Sequence, residues 1–115
     1  MDELVQVSFL IISHAGFARS KYIEAYKRAK EGNFESAETL LKEGDEYFLN
    51  AHKEHASVIQ KEASGDNILP SVLLMHSEDQ LMTAETTKLL AVEIIELHKR
   101  LNQLAEKVER LEKQL

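Results

Sequence analysis

The chain has 115 residues, no cysteine, and 20 acidic against 14 basic side chains, for a formal charge of -6. That length suits one domain with one core, the missing cysteine removes disulfides, thiolate nucleophiles and cysteine-based zinc or redox motifs, and the acidic balance gives no basic stripe for DNA or RNA. No apolar run is long enough to span a bilayer, and MDELVQVSFLIISH opens with acids where a secretory signal carries bases, so a soluble, cytoplasmic protein with no nucleic-acid partner is expected.

One proline and four glycines, with no alternating strand pattern, predict an all-α fold of a few long helices and short joints. From Glu3 to about Lys30, Leu4, Val7, Ile11, Ala15, Ala18, Tyr22, Ala25 and Ala29 recur at helical spacing and define the buried face of helix 1. Glu31-Gly32-Asn33 breaks that pattern, and Asn33 can cap helix 2. The second face runs through Phe34, Ala37, Leu41, Gly44, Phe48, Ala51 and Val58, with Leu40 and Ile59 alongside, until Ser64-Gly65-Asp66-Asn67, where Gly65 is the natural C-terminal cap. Pro70 suits the first turn of helix 3, which then runs uninterrupted to Leu115. At 1.5 Å per residue that helix would reach roughly 70 Å, against roughly 40 to 50 Å for the other two, so it must overhang its bundle.

Counted back from Leu115, the positions Leu111, Val108, Leu104, Leu101, Leu97, Ile94, Leu90 and Thr87 alternate by four and three residues, a heptad seam. A seam that overhangs cannot bury itself, so LNQLAEKVERLEKQL should pair with copies of itself or with a partner helix; leucine at both core positions leaves the number of strands open. Upstream the same count passes through Thr83, Gln80, His76, Leu73 and Leu69, and turns polar. His76, Asp79, Gln80 and Thr83 fall within about 100° of one another, while Leu74, Leu81 and Val92 mark a second side and Met75, Met82 and Leu89 an adjacent one. One face of helix 3 therefore packs on helices 1 and 2, and another meets neighbouring chains with polar groups at or near the contact. An unpaired carboxylate is costly there, so copies of Asp79 brought together about a rotation axis would demand a cation. The plainer alternative leaves His76 and Gln80 partly exposed and Asp79 facing water.

Histidine can serve as an acid or base, a metal ligand, or a nucleophile that takes a phosphoryl group on a ring nitrogen. No Glu-x-x-His and no HExxH occurs, which disfavours di-iron and zinc-hydrolase sites. His52 and His55 in AHKEH share a helix face without an aligned third ligand, so a solvated cluster is the expected reading, and His14 and His98 carry no motif. There is no GxxxxGK[ST] loop to bind ATP, so any phosphoryl group must arrive on another protein. A helix-borne imidazole in a shallow groove suits that role, with Gln80 one turn away to orient the ring or to hydrogen-bond the phosphoryl oxygens.

The stretch LLMHSEDQLM resembles the active-site segment, close to HAxDxLM, of the enzyme IIA component of the lactose, cellobiose and diacetylchitobiose class of the bacterial phosphoenolpyruvate-dependent sugar phosphotransferase system. The likeness extends to about Leu101 through AGFARS, GNFESAETLL, AHKEH and QKEASGD. It implies a three-helix antiparallel bundle that assembles as a parallel homotrimer, with residues 1–100 as the phosphocarrier domain and 101–115 as a heptad extension of helix 3. It further implies that His76 accepts a phosphoryl group from the phosphocarrier HPr and passes it to a cysteine of a cognate IIB component, which serves a membrane IIC component and uptake of a β-linked disaccharide. Asp79 is implied to hold a divalent ion, Mg2+, one per trimer on the threefold axis. Two departures stand out: Ser77 in place of the usual alanine, which sets a hydroxyl beside the reactive turn, and the heptads after Leu101. A coiled-coil adaptor or regulator that keeps the bundle without transferring phosphate is the competing reading.

Overall fold

The computed structural model describes residues 2–115. Three helices, α1 (Glu3–Lys30), α2 (Phe34–Ala63) and α3 (Val72–Lys113), run up, down and up as a rod 73 × 21 × 20 Å. α1 is the central element: it packs extensively on both other helices, which meet each other much less. Its composition explains this, because Ala15, Ala18, Ala25 and Ala29 are fully buried and let neighbouring backbones approach closely.

The joints are built from capping groups. At the end of α1, Gly32 takes a positive φ of 84°; its amide donates to the Ala29 carbonyl and that of Asn33 to the Arg28 carbonyl. This doubly bonded helix stop needs a left-handed residue, which glycine adopts without a steric penalty. Asn33 then also starts α2, its side-chain oxygen accepting from the Ser36 amide. The end of α2 repeats the stop around Gly65, at φ 106°, with the Gly65 and Asp66 amides donating to Glu62 and Lys61. Gly65 caps as expected.

The predicted faces hold with local exceptions. Ile11 through Ala29 on α1 are buried as the spacing requires, joined by Ser8, whose hydroxyl donates to the Leu4 carbonyl. On α2 the interior residues are Ala37, Leu40, Gly44, Ala51 and Val58, and Ile59 is exposed. α3 buries Leu74, Ser77, Leu81, Ala84, Ala91 and Ile95, whereas Val92 is 43% exposed. Pro70 lies outside α3: Ser71, in extended backbone, is the N-cap and accepts from the Leu74 amide, so the helix opens at Val72. The regular helix closes at Lys113, two residues short of Leu115.

One polar chain ties all three helices at mid-height. The fully buried Tyr22 of α1 donates to the Asp45 carboxylate of α2 at 2.7 Å, and Lys88 of α3 reaches the same carboxylate oxygen at 2.8 Å. Lys61 to Glu3 and Lys99 to Glu38 add ion pairs near the ends.

Candidate functional site

The site begins at the start of α3. Ser71 caps the helix and no acid occupies its first turn, unlike α1 with Glu3 and α2 with Glu35. The positive end of the helix dipole is thus left without a resident anion, and His76 stands one turn further on.

The buried line of α3 fixes where the candidate residues point. At about 100° per residue, Asp79 lies within about 20° of the direction diametrically opposite that line. Around it Val72, Met75, Met82 and Leu89 form an apolar stripe, each more than half exposed. His76 is exposed and turned about 60° from Asp79, and Gln80, on the same flank one turn along, is half-buried without a hydrogen bond to His76. The four polar residues thus span about 100° of one side of α3, from the outermost line to the half-covered flank. Asp79 is on the outermost line, His76 on its shoulder, and Gln80 and Thr83 are half-covered.

Within one chain Asp79 faces outward, as the plainer reading expects. Its setting is not plain, since the carboxylate stands among four exposed apolar side chains, a combination common where proteins meet other molecules. A hollow runs between the end of α2 and the start of α3, with Val58, Ile59, Ile68, Pro70, Leu74, Met75 and Glu78 among its lining residues. His76 is on the other flank, because two residues turn the helix by about 200°.

Glu78 occupies the flank toward α2, where its carboxylate meets His55 Nε2 at 2.8 Å. His52, in contrast, stacks on Phe48 with ring centroids 6.3 Å apart. The two histidines of AHKEH thus have different neighbours, and His55 ties α2 to the turn of α3 that carries His76. Sequence reasoning missed this role; its only trace was an acid and a histidine on facing helices, 23 residues apart. Ser77 also differs from expectation. It is fully buried, and its hydroxyl donates to the Leu74 carbonyl at 2.6 Å, so it faces the core and not the reactive surface.

Residues 6–99 match the family described as PTS system, lactose/cellobiose-specific IIA subunit. The chain belongs to this family. It is 43% identical to the PTS system lactose-specific EIIA component of Streptococcus mutans over 99 residues, 86% of this chain and 95% of that protein. Among solved structures, the cellobiose-specific enzyme IIA of Bacillus anthracis superposes with a TM-score of 0.87 at 39% identity, covering 90% of this chain and 94% of that one. The IIA(chitobiose)–HPr complex of the Escherichia coli diacetylchitobiose branch contains a chain that superposes with a TM-score of 0.71 at 32% identity, covering 89% and 99%. This IIA chain is accordingly a component of a sugar phosphotransferase system. No helix among the described residues is long and apolar enough to cross a membrane.

Among the described residues no three histidine or carboxylate side chains gather within one chain. Asp79 supplies one hard oxygen donor per subunit on the outermost line of α3, a donor set that suits a hard divalent cation once copies of the chain meet along that line.

Proposed function

We propose that this IIA subunit is a phosphohistidine carrier for uptake of a β-linked disaccharide of the cellobiose, diacetylchitobiose or lactose type, working in the cytoplasm as a parallel homotrimer. The observation that carries the reading is the exposed imidazole of His76, on a family-matched helix, beside an apolar stripe. A structural neighbour in complex with HPr supports a protein donor.

The chemistry is an exchange of one N–P bond for another. An unprotonated ring nitrogen of His76 attacks the phosphorus carried on a histidine of HPr, and the bond to that histidine breaks as the new one forms. The phosphoryl group then passes to a cysteine of the IIB component, which supplies the membrane IIC component. Catalysis here is positioning: the ring is in reach of a docking protein, and the His55–Glu78 pair and the Ser71 cap hold its helical turn in place. The carboxamide of Gln80 orients the imidazole or donates to the phosphoryl oxygens. Copies of Asp79 would hold a Mg2+ ion, whose two positive charges would offset much of the repulsion among the carboxylates at the subunit junction.

Incubation with phosphoenolpyruvate, enzyme I and HPr is expected to label the wild type and leave His76→Gln unlabelled. Equal labelling of both proteins would end the assignment to His76, and no labelling of either would favour a non-catalytic adaptor built on the same bundle.

A further inference from the structure

Beyond residue 99, where the family match ends, α3 continues past the bundle, with Leu101, Asn102 and Ala105 lining a hollow beside the α1–α2 joint. Every side chain from Leu101 to Leu115 is exposed. We propose that residues 101–115 form a parallel coiled coil with the same segment of other copies of this chain, a self-association element separate from the phosphoryl site.

Three observations carry this. Leu101, Leu104, Val108, Leu111 and Leu115 keep the alternating spacing of three and four without interruption, and each is close to half exposed or more, which is the pattern of a helix that packs on its own kind. Their stripe lies within about 50° of the direction opposite the bundle core, so it continues the same outer face as Val72 and Asp79. Flanking charges choose the orientation. Arg100 and Lys107 border one side of the seam and Ala105 and Glu112 the other, and Lys107 and Glu112 make no ion pair within the chain. In a parallel pair the two sides face each other, so Lys107 meets Glu112 of the neighbouring copy; in an antiparallel pair each side faces itself, base against base. The element is about 40 Å along the rod from His76, and the proposal does not rest on phosphoryl chemistry there.

Sedimentation equilibrium of the full chain in EDTA, over a dilution series, compares the wild type with Leu104→Asp/Leu111→Asp. Both positions are exposed in the single chain, so the bundle does not need them, and circular dichroism verifies its helicity. The wild type is expected to be oligomeric, and the variant to require at least about tenfold higher concentration for the same average mass. A monomeric wild type, which would point to a different partner helix, or coincident dilution curves overturn the proposal. Orientation is read from Leu111→Cys in this otherwise cysteine-free chain. Oxidation is expected to give covalently joined pairs, and an oligomer that yields none overturns the parallel arrangement.

Discussion

Gly44 is the position where one added carbon would be felt most. A Cβ there would lie 2.7 Å from Tyr22 Cε1, and that ring is fully buried and held at its hydroxyl by Asp45, so it has nowhere to move. Overpacking costs about 1–3 kcal/mol and outweighs the gain of up to about 1 kcal/mol in helix propensity. Gly44→Ala is therefore expected to lower the stability from urea unfolding, by about 1–2 kcal/mol. Tyr22 itself gives a pH signature. Burial first, and then its hydrogen bond to Asp45, raise its phenol well above the ordinary value of 10.0. The native state thus favours the protonated ring, and the stabilisation is complete below about pH 10, where the unfolded chain also keeps its proton, and is lost as pH rises beyond that. Tyr22→Phe is expected to cost about 1 kcal/mol at neutral pH, with the gap to wild type narrowing above pH 10 in urea midpoints; a constant gap would contradict this assignment. The spacing alone placed Tyr22 in the core, but nothing in the sequence could announce that Gly44 is the notch it fills.

Among the elements, α3 shows most clearly what local chemistry decides. Pro70 suits a first helical turn by its fixed φ, yet Ser71 takes the boundary because its hydroxyl satisfies the Leu74 amide. Ser71→Ala is expected to cost about 1 kcal/mol in unfolding free energy. Since this cap opens the helix that carries His76, hydrogen exchange at residues 72–76 is expected to quicken in the variant while α1 remains protected. The seam of α3 was legible as a period. Its division into a buried line, a half-covered flank and an outer stripe was not, because a heptad alone does not reveal which side a central α1 will cover. His76, Asp79 and Gln80 were found as a group for that reason, and packing set their different exposures within it.

At the scale of the whole molecule, the single chain leaves an outer face that combines Asp79 with exposed Val72, Met75, Met82 and Leu89. Assembly along that face would bring the carboxylates together, where a cation offsets their repulsion and leucine could replace it by burial. Asp79→Leu is expected to lose bound divalent metal, measured by elemental mass spectrometry, and to keep its assembled mass; unchanged metal content would count against this ligand. Helical periodicity and turn chemistry by themselves determined three helices, their caps at Asn33 and Gly65, the buried face of α1, and an overhang beyond the bundle. These are local or one-dimensional properties, encoded in neighbouring residues and in the repeat of apolar side chains. Tertiary structure alone decided that Ser77 turns inward, that His55 pairs with Glu78, and that His76 lies on the shoulder of an outer stripe with Asp79 at its crest. Such facts depend on which helix sits against which, and that relation is fixed by close packing between segments far apart in the chain.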